Sequence, residues 1–387
     1  MERRKFLQIP GPTNIPDRIL RSLSQPLINH RGKAFEALVE QCIEGLRKVC
    51  RTKNDILLFP SSGSGVLESA IVNLFSPGDK ILAVSMGVFS ERMAQIAEQH
   101  GLQVIRIQKE WGRVVQPEEI QEILKKDTQH EIKAVCLPQN ETTTGITNDI
   151  EGAAKAIANT NHPALLIVDA ISSLACLPLE TDRWGVDVVI SASQKGLMLP
   201  PGLGVVSINQ KAWDSVETST MPKWYWDYSA VKNKLKEYQM PYTPPTTLLF
   251  GLKEAIDILE EEGIETVWER HALMAKAVRN AVKDMGLQLL SDEASASDTV
   301  TAVKIPSTIT YKELAQLLQQ KYDVIIGGGL QQLQGKIFRI GHLGAIHHMD
   351  IYAVMGAVEM ALYELGYPVE LGTAAKAVSK TFLNVNE

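Results

Sequence analysis

Cysteine is scarce in this chain. Four occur among 387 residues, too few for a disulfide scaffold, and no Cys-x-x-Cys pair is present. Cys136 and Cys176 sit in apolar runs, as expected of buried, inert thiols in a reducing compartment. None follows Cys176, and no cluster of cysteines offers iron–sulfur or nickel ligation. Long apolar runs are also lacking: none approaches the roughly 20 residues that span a bilayer. Positive charge is not in excess, since 39 Lys plus Arg face 45 Asp plus Glu for a net charge of -6. Such a chain has no general attraction to nucleic acid or to an anionic membrane, so any anion site must be built locally. His342, His347 and His348 have no acidic partner at ligand spacing, and no metal is expected. The start, Met1 to Phe6, is basic, but Pro10-Gly11-Pro12 falls where a signal peptide would continue its apolar run. The end, Asn384 to Glu387, matches no retention tail. A soluble, cytoplasmic protein is expected.

What is present is ordinary in bulk. With 45% hydrophobic and 22% charged residues, neither disorder nor a fibrous repeat is indicated. The length exceeds what one hydrophobic core usually serves, so two domains are expected. In the first half, short apolar runs alternate with helically spaced ones. Strands are expected at 55–59, 80–85, 103–107, 132–137, 164–168, 186–191 and 204–208, with helices near 90–100, 117–126 and 150–159. This order implies a mostly parallel sheet covered on both faces. Between the last two strands, Pro200-Pro201-Gly202 leaves no room for a crossover helix, so that pair should be antiparallel. From Trp213 to Pro245 the pattern lapses into aromatic and proline-rich sequence. Helices resume at 246–261 and 266–285, and a smaller α+β unit follows, closed by a helix at about 350–364.

In open α/β sheets, ligands collect beyond the carboxyl ends of the strands. Asp169 ends one apolar strand there, and Ser193-Gln194-Lys195-Gly196 follows another. Between Leu58 and Val66 a Ser/Gly-rich loop opens a helix, whose free N–H groups and dipole suit an anion. Gly63-Ser64-Gly65 lacks the third glycine of a dinucleotide fingerprint, and no Gly-Lys-Ser/Thr occurs, which disfavours NAD and ATP. Singly these signals are weak. A phosphate cup, a strand-end acid and a strand-end lysine together describe the needs of pyridoxal phosphate (PLP).

Further segments carry a family resemblance: Pro10-Gly-Pro-Thr13, Ser62-Gly-Ser-Gly65, Ser76-Pro-Gly-Asp79, Glu141-Thr-Thr-Thr-Gly145, Val168-Asp-Ala-Ile-Ser-Ser173, Ser193-Gln-Lys-Gly196, Pro200-Pro-Gly202 and Arg339-Ile-Gly-His-Leu-Gly344. In that order they resemble the class V, fold type I PLP-dependent aminotransferases, in the alanine/serine–glyoxylate group. The resemblance implies a large PLP domain at 17–262, with a mostly parallel seven-stranded sheet containing one antiparallel strand. It also implies an arm at 1–16 and a smaller α+β domain at 263–387. It makes Lys195 the Schiff-base lysine and proton carrier, and Asp169 the partner of the pyridinium nitrogen. Ser64, Gly65, Val66 and Gln194 would bind the phosphate. Phe89 and Ile171 would press on the two ring faces, Thr142 would lie near the phenolic oxygen, and Arg339 would clamp the substrate carboxylate. A homodimer is implied, in which Thr243 reaches the neighbour's phosphate, while Met240 stands where a tyrosine is usual and Tyr242 lies nearby. The implied reaction is ping-pong transfer from alanine or serine to glyoxylate or pyruvate.

Two departures bear on substrate. The ureidoglycine branch carries an asparagine at the Met240 position and a glutamine at the His30 position, so ureidoglycine is disfavoured, and His30 is expected to support the site wall. Cysteine desulfurase chemistry needs a C-terminal cysteine that this chain lacks. A PLP-dependent lyase or aldolase of the same fold stays open, as does a non-catalytic role, since relatives carry a soluble-hydrogenase subunit label. Whether Trp224–Tyr228 lines or buttresses the pocket is open too.

Overall fold

The computed structural model describes residues 5–384. The basic start at 1–4 and the tail at 385–387, considered above for targeting signals, lie outside the described residues. Seven strands form the main sheet: Asp55–Ser61, Lys80–Ser85, Gln103–Gln108, Ile132–Pro138, Leu165–Asp169, Val188–Ala192 and Gly202–Ile208. Across the sheet their order is 55–61, 202–208, 188–192, 165–169, 132–138, 80–85, 103–108. Five neighbours run parallel, and 202–208 is antiparallel to the strands on both sides. The mostly parallel sheet with one reversed strand is therefore as expected.

The near-continuous apolar strands follow from having two cores to fill. Side chains alternate across a strand. Leu58, Val84, Leu137 and Val168 thus enter a cluster on one face, packed by helices Lys33–Val49, Ile150–Ala158 and Thr246–Glu262. Leu57, Ala83, Cys136 and Ile167 enter the other, under helices Gly63–Leu74, Val88–Gln99 and Gln210–Thr218. The edge strand 103–108 breaks the apolar run most. Its Arg106 pairs with Glu91 at 2.9 Å and Glu98 at 2.6 Å, a charged edge that resists pairing with other chains.

A second sheet carries the order Phe6–Gln8, Val324–Gly328, Ile337–Gly341, Val300–Lys304. Its first strand belongs to the expected arm, and it pairs parallel with Val324–Ile326. Three residues carry no readable period, which is why the sequence pattern did not show a strand there. A third apolar cluster lies between this sheet and helices Ile264–Asp284, Tyr311–Lys321, His348–Glu364 and Thr373–Phe382. The last of these adds a helix beyond the one expected to close the chain. The lapse at 213–245 is also partial. Tyr228–Leu235 is helical because Asp227 caps it, accepting from Ser229 N–H at 2.9 Å and Ala230 N–H at 3.2 Å. Among the described residues, no helix is long and apolar enough to cross a membrane.

Candidate active site

At the carboxyl ends of the parallel strands lies a cavity of about 280 Å³. Of the residues expected in the site, Ser64, Phe89, Thr142, Asp169, Ile171, Gln194 and Lys195 line it together. They come from five different connections, each leaving its strand at the same edge of the sheet.

Lys195 and Asp169 end neighbouring strands. Lys195 Nζ donates to the Pro10 carbonyl, so the arm closes over the lysine. Thr13 adds a bond from its N–H to the Gln194 carbonyl at 3.3 Å and one from Oγ1 to the Lys195 carbonyl at 3.2 Å. Gly11 is required at this contact: its φ is 119°, and a Cβ there would stand 2.5 Å from Lys195 Nζ. Burial pulls the Lys195 amine down to about 8, with repulsion from Arg339 adding to the effect and Asp169 opposing it. Burial pushes Asp169 up to about 7 against the Ile171 N–H, which bonds its Oδ1 at 2.9 Å, while Glu141 repels it further. Asp169 Oδ2 has no partner among the described residues.

Facing them is the start of helix Gly63–Leu74, capped by Ser62. The N–H groups of Gly63 and Ser64 have no acceptor among the described residues. The Gly65 N–H reaches Ser62 Oγ at 3.3 Å, and the Val66 N–H closes the first turn onto the Ser62 carbonyl at 3.1 Å. Val66 itself is buried in the core beneath. Gln194 Oε1 is buried without a hydrogen-bond partner.

One wall is a buried polar network. Thr142 Oγ1 donates to Ser172 Oγ at 2.9 Å, and Asn140 Nδ2 reaches Ser172 Oγ at 2.8 Å and Thr299 Oγ1 at 2.9 Å. The opposite wall is Phe89, at the start of helix Val88–Gln99. That start is anchored by Glu141, fully buried, which accepts from Ser90 N–H at 2.8 Å and Thr143 N–H at 2.9 Å. A Cβ on Gly87 would overlap this carboxylate. Asn140, Glu141, Ser172 and Arg92 are site residues that sequence reasoning missed. Glu141 and Ser172 stood inside motifs already noted, and Arg92 stands three residues beyond Phe89, so the signal was proximity alone.

Arg339 does not line the cavity but stands beside it. From the second sheet it bonds the Gly328 carbonyl through Nε at 2.9 Å and the Thr142 carbonyl through Nη1 at 3.0 Å. It is only 6% exposed, and burial lowers its pKa against attraction from Glu141. Thr243 is exposed and outside the cavity. Met240 is buried in the first core cluster, and Tyr242 donates to the Trp224 carbonyl at 2.7 Å while stacking on Trp224 and Tyr225. The 224–228 segment buttresses the site: Trp226 packs on Phe59 at 5.6 Å, and Tyr228 bonds Ser69 at 3.0 Å beneath helix Gly63–Leu74. His30 is half-buried and outside the cavity lining. His342 is buried between Thr301 Oγ1, at 2.8 Å, and the Asp298 carbonyl, and burial lowers it to about 3. His347 caps the helix on which His348 packs against Phe382.

Comparison with known proteins places this geometry in context. The family model described as aminotransferase class-V matches residues 6–347. The chain is 41% identical to a serine–glyoxylate aminotransferase of Methylorubrum extorquens, covering 97% of this chain and 95% of the relative. It is 37% identical to a protein of Synechococcus named soluble hydrogenase, small subunit, covering 95% of each. The crystal structure of ureidoglycine–glyoxylate aminotransferase from Bacillus subtilis superposes with a TM-score of 0.92 at 27% identity, covering 99% of both chains. With a match running through both sheets and over every strand end that lines the cavity, the chain belongs to the class-V aminotransferase family.

Proposed function

We propose that this protein is a pyridoxal phosphate-dependent aminotransferase that moves an amino group from a small amino acid, alanine or serine, to glyoxylate or pyruvate in two alternating half-reactions. The observation that carries this reading is that Lys195 and Asp169 share one cavity with a helix start whose first N–H groups are free. The cavity fits the cofactor. Gln194 Oε1 is an orphaned polar atom in its wall, and Gly63 keeps open the space beside Ile171, where a Cβ would stand 2.8 Å from Cδ1. Bound there, PLP would supply an aldehyde that condenses with amines and a ring that takes up the electron pair released at Cα.

The chain's own groups supply the rest. Lys195 Nζ, made easier to deprotonate by burial, takes the proton from the donor's Cα and returns one to the acceptor's Cα. Asp169 Oδ2 would accept from a cationic ring nitrogen, which would restore a charge that burial alone disfavours. Arg339 holds the substrate carboxylate with Nη2 and the second hydrogen of Nη1. Phe89 and Ile171 would hold the ring between them, and Thr142 would lie near its phenolic oxygen. Ser64 and Gln194 would form the phosphate end together with the free N–H of Gly63, and Gly65 and Val66 would join only by giving up the bonds of their N–H groups to Ser62.

The assembly is proposed as a cytoplasmic homodimer of 17–262 and 263–387 domain pairs, with the exposed Thr243 meeting the neighbour's phosphate. Met240, where a tyrosine is usual, fills the core of its own chain and offers the neighbour's phosphate no hydrogen bond, so Tyr242 is the nearby candidate for that contact. The relatives' names agree on glyoxylate in two cases and differ on the amino donor. The test is a yellow purified protein whose cofactor borohydride fixes onto Lys195, with one-for-one conversion of donor and oxo-acid. Colourless protein unable to bind PLP would sink the reading, and imbalance between donor and oxo-acid would favour a lyase.

A further inference from the structure

Arg92 lies one helical turn beyond Phe89 and reaches the same cavity. Its Nη1 donates to Ser64 Oγ at 3.1 Å, and its guanidinium carbon sits 4.9 Å from the Phe89 ring centroid. Stacking on the ring holds the planar fork against one wall while Ser64 fixes one edge of it. Asp169, in the same cavity, feels the charge of Arg92 through space but makes no ion pair with it, and the other acids nearby are engaged elsewhere. Glu91 and Glu98 both pair with Arg106, and Glu68 pairs with His100 at 3.1 Å. Among the described residues Arg92 has no ion-pair partner. The free N–H groups of Gly63 and Ser64 open beside it, so donors converge on one anion position.

Charge arithmetic shows why a cation belongs there. A phosphate monoester carries about −1.5 to −2 at neutral pH. A helix start offers only about +0.5. Lys195 is directed to the arm and to the reacting carbon, and Arg339 is tied to Gly328 and Thr142.

We propose that Arg92 is a phosphate-binding residue of this site, its fork taking phosphate oxygens at the Ser64 end and leaving Arg339 to the substrate carboxylate. The proposal rests on the PLP reading above. Arg92 keeps its stacking on Phe89 and exchanges Ser64 for the phosphate or shares both.

The experiment titrates apo-protein with PLP and, in parallel, with pyridoxal, which lacks the phosphate, for wild type, Arg92→Gln and Arg92→Lys. Loss of one charge-assisted contact predicts PLP affinity weaker by roughly tenfold to a hundredfold in R92Q. Pyridoxal affinity should stay within about twofold of wild type. R92K should recover part of the loss, since lysine keeps the charge without the fork. Melting of the apo-proteins checks folding; should R92Q not fold, the PLP-to-pyridoxal ratio of R92K carries the test, and a ratio equal to wild type overturns the proposal. Unchanged PLP affinity in R92Q overturns it too. So does an equal loss for PLP and pyridoxal, which would make Arg92 a support for Phe89, or an effect confined to the KM of an acidic donor. Failure of the wild type to bind PLP at all overturns the cofactor reading instead, and is distinguishable for that reason.

Discussion

Asp169 and Lys195 are displaced toward neutrality by one cause, burial at the strand ends, to about 7 and about 8. The direction for Asp169 has a definite sign in stability. Its folded pKa lies above the unfolded value, so folded apo-protein keeps this proton where the unfolded chain releases it. The stability tied to that proton is fully present below about pH 4 and is lost as pH rises through about 7. Apo Asp169→Asn should therefore exceed apo wild type above pH 7, by on the order of a few kcal/mol, with the gap closing toward pH 4. Denaturant melts across that range measure it. Lys195 predicts a rate. Only the neutral amine condenses, so PLP capture by apo-protein should climb with pH and level off above about 8, in stopped-flow absorbance traces. A flat profile from pH 6 to 9 would contradict the assignment. Both residues were legible in the sequence because each is a charged residue fastened to an apolar strand. Arg92 was not, since an arginine on an amphipathic helix looks like a solvated one until Ser64 and Phe89 are brought to it.

Among the elements, helix Val88–Gln99 depends most on a contact distant in sequence. Glu141 arrives from the loop after strand Ile132–Pro138 and holds the Ser90 N–H, which fixes where Phe89 stands. Glu141→Gln keeps one acceptor and turns an amide NH₂ toward a backbone N–H. It should cost about 1–3 kcal/mol in thermal or denaturant melts and weaken PLP binding through Phe89. Gly87→Ala should do the same by overlap rather than by lost bonding. Helix Tyr228–Leu235 is a milder case. Asp227→Ala removes its cap and should cost about 1 kcal/mol, with Trp226 loosened from Gly65 as a change in tryptophan fluorescence. The inner parallel strands were readable because both faces are buried and most residues along them are apolar. The helix in the proline-rich stretch was not, because its start depends on a single aspartate and its buried side on Phe59 and Trp213.

At the scale of the whole molecule, the arm joins the parts. Phe6–Gln8 extends the second sheet, Pro10 accepts from Lys195, and Thr13 bonds the lysine loop. Gly327 makes room for this crossing, since a Cβ there would stand 2.9 Å from Pro10. Removing residues 1–9 should lower the melting temperature and slow PLP capture together, whereas a passive tail would change neither. The sequence by itself determined the doubly covered sheet, its reversed strand and the acid and lysine at its rim. These follow from local alternation, chain length and turn composition, all of which act over a few residues. The tertiary structure alone decided that the first strand pairs with residues more than 300 positions away, that Glu141 supports Phe89, and that Arg92 faces Ser64. Those are pairings between segments whose separate patterns are silent, and only the closing of the chain brings their polar groups within hydrogen-bond reach.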